Sequence, residues 1–165
     1  MRAAVLTVSD RGAAGQTVDR SGPRLSALLT EAGFDVVAYD IVPDEHNAIE
    51  SRLRQWANMA EIALICSTGG TGPAPRDITP DVTRSLLERE LPGFGEAMRA
   101  ASTAITPLGM LSRSTAGIFE NTLIINFPGS PKAVEECFAV VRPVLRHTIE
   151  LIGGGASQHV TSAGG

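Results

Sequence analysis

Apolar residues run almost without interruption from residue 3 to 8 and stop at Ser9-Asp10-Arg11-Gly12. A short apolar run closed by turn residues predicts a buried strand and a turn. Leu25, Leu28, Leu29 and Ala32 then recur at i, i+3, i+4 and i+7. That spacing predicts an amphipathic helix, capped by Ser21, with Pro23 in its first turn and Gly33 at its end. Residues 34–42 are β-rich. Ile49, Leu53, Trp56 and Ala57 mark a second helix, and residues 62–67 a further strand. Thr79-Pro80 opens a helix carrying Val82, Leu86 and Leu87, with Thr79 as its cap. Residues 92–120 are less regular, with a short helix expected near 96–102. A strand follows at 122–127. Ser130-Pro131 starts a long helix on Val134, Phe138, Val141, Leu145, Ile149 and Ile152, which Pro143 should kink or divide. The Gly/Ser/Ala-rich residues 153–165 lack periodicity and read as a mobile tail.

Strands alternating with helices predict an α/β domain over 1–152, with a mostly parallel sheet covered on both faces. Ligands in such sheets sit beyond the carboxyl ends of the strands. Four loops fall there: Ser9-Asp10, Pro43-Asp44, the glycine-rich stretch from Ser67 to Pro80, and the segment from Asn126 to Lys132.

Composition narrows the function. The 165 residues are 43% hydrophobic, enough for a packed core. A net charge of −4 gives no electrostatic case for nucleic acid or an anionic membrane. No apolar run approaches the ~20 residues that span a bilayer, and the N-terminus is too short in apolar length for a signal peptide. A cytoplasmic location is the default. Cys66 and Cys137 have no metal-ligand spacing and read as two buried reduced thiols, one disulfide being the alternative. The three histidines share no ligand spacing, and Arg99, Arg113 and Arg142 read as surface or interface residues.

The glycine-rich stretch carries the chemistry. Gly69, Gly70 and Gly72 let backbone N–H groups crowd around an anion. Thr68 and Thr71 lie among them, and Arg76 and Asp77 follow. The pattern is neither the dinucleotide fingerprint nor the P-loop. Pro128-Gly129-Ser130 leads into a helix N-terminus, a second anion-ready site to which Lys132 could add charge. Each feature has a structural alternative. Asp44 fits a helix N-cap, Asp77 an Asx-turn, and Ser130 a cap with Pro131 behind it.

Taken together, these segments resemble the molybdopterin adenylyltransferases, the Mog/MoaB-like family that includes the gephyrin G domain. The match runs from Arg2 to Ile152. It rests on Thr7-Val-Ser-Asp10, Asp19-Arg-Ser-Gly-Pro-Arg24, Val42-Pro-Asp-Glu45 and the stretch from Thr68 to Pro80. It also rests on Thr106-Pro-Leu-Gly-Met-Leu-Ser-Arg-Ser114, Thr122-Leu-Ile-Ile-Asn126 and Pro128-Gly-Ser-Pro131. The resemblance implies a three-layer α/β/α domain, usually a homotrimer. It implies Mg²⁺-dependent transfer of an adenylyl group from ATP to molybdopterin, releasing pyrophosphate, with hand-over to a molybdate-insertion protein. The family's two essential aspartates fall on Asp44 and Asp77, which would also hold the metal. Ser9, Asp10, Thr68, Gly69, Gly70, Thr71, Gly72, Arg76, Glu96, Ser112, Pro128, Gly129, Ser130 and Lys132 would contact substrates. The family also holds MoaB-type members and non-catalytic scaffolds. Here the segment 106–114 and the Pro-Gly-Ser-Pro loop stand nearer the adenylyltransferase branch.

Overall fold

The apolar runs become the strands they predict. The computed structural model describes residues 1–155. Its sheet contains β1 (Arg2–Val8), β2 (Asp35–Val42), β3 (Ile62–Thr68), β4 (Arg89–Glu90), β5 (Ala116–Phe119) and β6 (Thr122–Phe127). The strand order is β2-β1-β3-β6-β5-β4. The first four of these are parallel, whereas β5 and β4 pair antiparallel along one side.

Both faces of the sheet are buried, which is why the central strands read as continuous apolar runs. Ala3 and Val5 of β1 face one core, together with Leu64 and Cys66 of β3 and Ile125 and Phe127 of β6. That core is covered by α2 (Ser21–Glu31), α5 (Pro92–Ile105) and α6 (Pro131–Ile152), through Leu25, Leu29, Met98, Phe138, Val141 and Leu145. Ala4, Leu6 and Val8 face the other core, covered by α3 (His46–Ala57) and α4 (Thr79–Leu86), through Ile49, Leu53, Trp56, Val82 and Leu86. Each fully buried Leu, Ile or Phe contributes roughly 1.5–3 kcal/mol relative to exposure. The expected three-layer α/β/α arrangement is present.

Several local expectations are corrected. Pro143 does not divide α6, which runs unbroken for 22 residues. Pro143 lies on the exposed side, while Val141, Leu145 and Ile149 on the buried side hold both halves to the sheet. Residues 10–13, expected as a turn, close into a one-turn helix, α1 (Asp10–Ala13), with Ser9 as its cap. The irregular stretch is more ordered than its pattern suggests: α5 spans 14 residues, and a 3-10 turn (Pro107–Leu111) follows. Residues beyond 155 in the expected mobile tail lie outside the described residues.

Ser21 does not cap α2. It is the first helical residue, and Asp19 satisfies the helix start instead. Asp19 Oδ1 accepts the Ser21 and Gly22 N–H groups at 2.9 and 3.2 Å, and the Ser21 hydroxyl at 3.0 Å. Its Oδ2 accepts the hydroxyls of Thr7 and Tyr39. Burial pushes the Asp19 carboxyl up, but these donors outweigh it and hold it below the usual carboxylate range. Burial and the bond to Asp19 push Tyr39 up to about 12. Both thiols are buried and outside any disulfide, and burial pushes both up, away from the reactive thiolate form.

Candidate active site

The chain reverses its direction of travel across the sheet between β1 and β3. After β1 it moves outward to β2, then crosses back to β3 on the other side. Loops leaving the carboxyl ends of neighbouring strands part there, and a crevice opens. Three strand ends converge at this point. A side chain on Gly69 would collide with the Val8 carbonyl. One on Gly129 would come within 3.2 Å of the Gly69 α-carbon. Gly69 also has φ +97°, and Gly70 has φ +61°, backbone conformations that favour glycine. Thr68 Oγ1 donates to the Pro128 carbonyl at 2.7 Å, fastening the glycine loop to the loop after β6.

Asp10 and Asp44 brace each other. The Asp10 N–H donates to Asp44 Oδ2 at 2.9 Å, and the Asp44 N–H donates to Asp10 Oδ1 at 3.0 Å. Asp44 is therefore not the cap of α3; Glu45 occupies that position and offers no side-chain bond. Arg76 clasps Asp10 with two bonds, at 2.6 and 2.8 Å, and also donates to the Asp44 carbonyl at 3.1 Å. This clasp holds the Asp10 carboxyl below its ordinary range. Asp44 behaves oppositely. Burial pushes it up, and the charges of Asp10 and Asp77 add to the rise against the Asp10 N–H and Arg76.

Asp77 lies further along the same glycine-rich stretch, where a side chain on Gly72 would come within 2.7 Å of Asp77 Oδ2. That oxygen accepts the Ala74 N–H at 3.0 Å, a bond that reaches backward rather than forward as in an Asx-turn. Thr79 is not the cap of α4; Ile78 is, and Thr79 is the first helical residue. Among the described residues, no hydrogen bond engages the N–H groups of Gly70, Thr71 or Gly72.

Arg113, expected at the surface or an interface, holds this loop in shape. Its N–H donates to the Thr71 carbonyl at 2.8 Å, and Nε donates to the Gly72 carbonyl at 3.0 Å. Its guanidinium also donates to the Asp77 carbonyl, and makes two bonds of 2.9 Å to Asp81. Arg99, likewise expected at the surface or an interface, donates to the carbonyls of Ser112 and Ser114 at 3.4 and 2.9 Å. Ser112, next to Arg113, is thereby tied to α5, its hydroxyl 3.0 Å from that of Ser114. The one local signal for Arg113 was its place between two serines in a polar stretch.

The other candidates divide. Ser9 Oγ caps α1 by accepting the Gly12 N–H at 3.1 Å. Ser130 caps α6 by accepting the Ala133 N–H at 3.2 Å, as its spacing predicted. Lys132 points along α6 toward Glu136 at 3.8 Å and takes no part in the cluster. Glu96 is exposed on α5 and makes no ion pair or hydrogen bond among the described residues.

A cavity of about 360 Å³ opens beside Ser9 and Gly69, walled also by Thr17, Asp19, Ser21 and Gly129. One of similar volume, about 380 Å³, lies at the opposite, amino end of β3 and β6, lined by Asn58, Glu120, Asn121 and Thr122. The first has glycine-loop backbone and strand carboxyl ends around it; the second has neither. The cavity at the carboxyl end is therefore the candidate site.

A family model described as a probable molybdopterin binding domain matches residues 4–147. The chain belongs to the molybdopterin-binding domain family. Among curated relatives, a molybdopterin adenylyltransferase of Helicobacter pylori strain J99 is 42% identical over 93% of this chain and 89% of its own length. The molybdenum cofactor synthesis protein cinnamon of Drosophila melanogaster is 45% identical over 93% of the chain, which spans 26% of that relative. Among solved structures, the molybdopterin biosynthesis enzyme MoaB of Thermus thermophilus superposes with a TM-score of 0.87. It is 46% identical, with 93% of this chain and 96% of that one covered. The glycine loop and carboxylate cluster thus sit inside the part of the chain that defines the molybdopterin-binding domain. Among the described residues, no helix is long and apolar enough to cross a membrane.

Proposed function

We propose that this chain is a molybdopterin adenylyltransferase, moving the adenylyl group of ATP onto the terminal phosphate of molybdopterin in molybdenum cofactor synthesis. One observation carries the reading. Asp44 and Asp77 flank a glycine loop whose N–H groups on residues 70–72 are free to donate. Relatives of that name, 40–42% identical over most of their length, support it.

The chemistry makes one bond and breaks one. A pterin-phosphate oxygen attacks the α-phosphorus of ATP, and the bond to the β-phosphate breaks, its electron pair leaving on pyrophosphate. A phosphate monoester has its second pKa near ~6 and is already mostly a dianion at pH 7. No base is needed to create the nucleophile. The difficulty is holding two polyanions together in line. The loop N–H groups supply neutral donors for that task. The α6 N-terminus at Ser130 supplies others, favoured by the helix dipole. Arg76 supplies a cation if it exchanges Asp10 for a phosphate.

The residues present fit Mg²⁺. Asp44 Oδ1 and Asp77 Oδ1 are hard oxygen donors with no hydrogen bond among the described residues. No three His, Cys, Asp or Glu side chains among those residues form a cage. Magnesium does not need one, because it is commonly held by one or two carboxylates plus substrate phosphates. Once bound, the ion would neutralise phosphate charge that two carboxylates alone would repel.

Pyrophosphate release from ATP that depends on molybdopterin tests the reading. Single-turnover rates from about pH 5 to 8 should fall on the acid side near ~6, tracking the phosphate, and should vanish in EDTA. Full turnover in EDTA would remove the metal; no turnover under any condition would remove the enzyme. A non-catalytic or MoaB-type role is the second reading, favoured by the 46% identity to a protein called MoaB. Such a protein would bind the pterin and release no pyrophosphate.

A homotrimer suits the surface. Ile105, the last residue of α5, and Leu108, Met110 and Leu111 of the following 3-10 turn are exposed apolar side chains. An apolar groove lined by Leu91, Phe94, Ala97, Val140 and Val144 opens between α5 and α6. Two unlike apolar patches fit a head-to-tail ring better than a two-fold dimer. Light scattering should give three times the mass of one chain, and a monomer at micromolar concentration would exclude the ring. The unpaired thiols suit the reducing cytoplasm. The adenylylated product would pass to a molybdate-insertion protein.

A further inference from the structure

Thr79 is wholly buried, yet its hydroxyl has no hydrogen-bond partner. Among the described residues only two other buried side-chain atoms share that condition, Arg52 Nε and Asn126 Oδ1. A buried hydroxyl without a partner weakens a fold, and valine would fill nearly the same space without the penalty. Helix capping does not account for the hydroxyl either. The helical N–H groups of Asp81 and Val82 go to the Ile78 carbonyl, and the Thr79 N–H goes to the Gly70 carbonyl at 3.1 Å.

Its surroundings account for it better. A side chain on Gly70 would collide with Thr79 Oγ1 and come within 2.9 Å of Asp44 Oδ1. Both oxygens therefore rest against the same side of the Gly70 α-carbon. Asp44 Oδ2 is engaged by the Asp10 N–H, but Oδ1 is not engaged among the described residues. The other charged groups near Asp44 are already committed: Arg76 to Asp10, and Asp77 Oδ2 to Ala74. A donor without an acceptor and an acceptor without a donor thus lie across one glycine. Only a residue lacking a side chain lets them approach.

We propose that Thr79 is a positioning residue, its hydroxyl donating to Asp44 Oδ1 across Gly70 once nucleotide occupies the loop; a carboxylate oxygen has two lone pairs, so this bond leaves one for a cation. The bond would fix the rotamer in which Asp44 faces the phosphates. The proposal rests on the adenylyl-transfer reading for its catalytic consequence, but not for its effect on ligand binding.

Thr79→Val and Thr79→Ser separate the possibilities. Without ligand, the valine variant should melt at or above the wild-type temperature. With Mg²⁺, ATP and molybdopterin, its kcat should fall about 10-fold or more, as small misplacements do, while KM for ATP moves less than about threefold. Serine, which keeps the hydroxyl, should retain at least about half the wild-type kcat. The rise in melting temperature produced by MgATP alone should shrink in the valine variant and return in the serine one. Wild-type kcat in the valine variant, or equal losses in both, would overturn the proposal. So would a collapse of the valine variant's ligand-free stability, because it would mean the hydroxyl already has a structural partner. Should the wild-type protein release no pyrophosphate, the enzymatic reading falls by itself. An undiminished MgATP response in Thr79→Val would then overturn the positioning role independently.

Discussion

Asp44→Asn should lose at least about 100-fold in single-turnover rate while its melting temperature holds or rises. Asparagine keeps an oxygen for the Asp10 N–H, so the brace between the β1 and β2 loops survives. What disappears is a negative charge that the fold opposes. Burial, Asp10 and Asp77 all disfavour it. The sign follows from linkage. A carboxyl whose folded pKa is raised gives stabilisation that is complete below the unfolded value near ~3.9. That stabilisation is lost as pH rises through the folded value. The wild-type protein should therefore lose ground to Asp44→Asn on going from about pH 4 toward neutrality, and the gap should then stay constant. Thermal scans across that range, paired with rate measurements, check both halves. A large drop in melting temperature with turnover intact would make Asp44 a structural brace and nothing more.

Arg113→Ala should cost about 2–4 kcal/mol, because its charge-assisted bonds tie the Gly72 and Asp77 carbonyls to Asp81. For a chain of this length that is a fall in melting temperature of about 5–10 °C. Nucleotide affinity should drop about 10-fold or more, because the loop N–H groups lose their fixed directions. Arg113→Lys should recover little. An ammonium can meet Asp81 but cannot reproduce the planar fork that reaches two carbonyls as well. Calorimetric melting and nucleotide titration measure the two effects separately. Wild-type values for both in Arg113→Ala would make the loop self-supporting.

The sequence placed Asp44 and Asp77 in loops after β2 and β3, and strand ends are where a parallel sheet collects its ligands. The bonding of these carboxylates was not legible. Whether Asp44 caps α3 or braces Asp10 depends on a partner 34 residues away. A shift of one position likewise separates Thr79 from the capping role that Ile78 holds. Arg113 reaches across 36 residues to Asp77, a distance over which local pattern carries no signal. The central strands declared themselves through double-sided burial. β4 and β5 did not, since one has two residues and the other carries Gly117 against Arg89.

The contact between Gly69 and Gly129 has a further effect on how this site can change. Two loops from different strands touch backbone to backbone, and β1 closes against the same point through Val8. The separation between the two anion-ready loops is thus a property of main chain. Side chains around the rim can be exchanged to alter which molecules enter, yet the span across which they are joined stays put. A redesigned variant could be given a new acceptor far more readily than a longer or shorter reach between donor and acceptor.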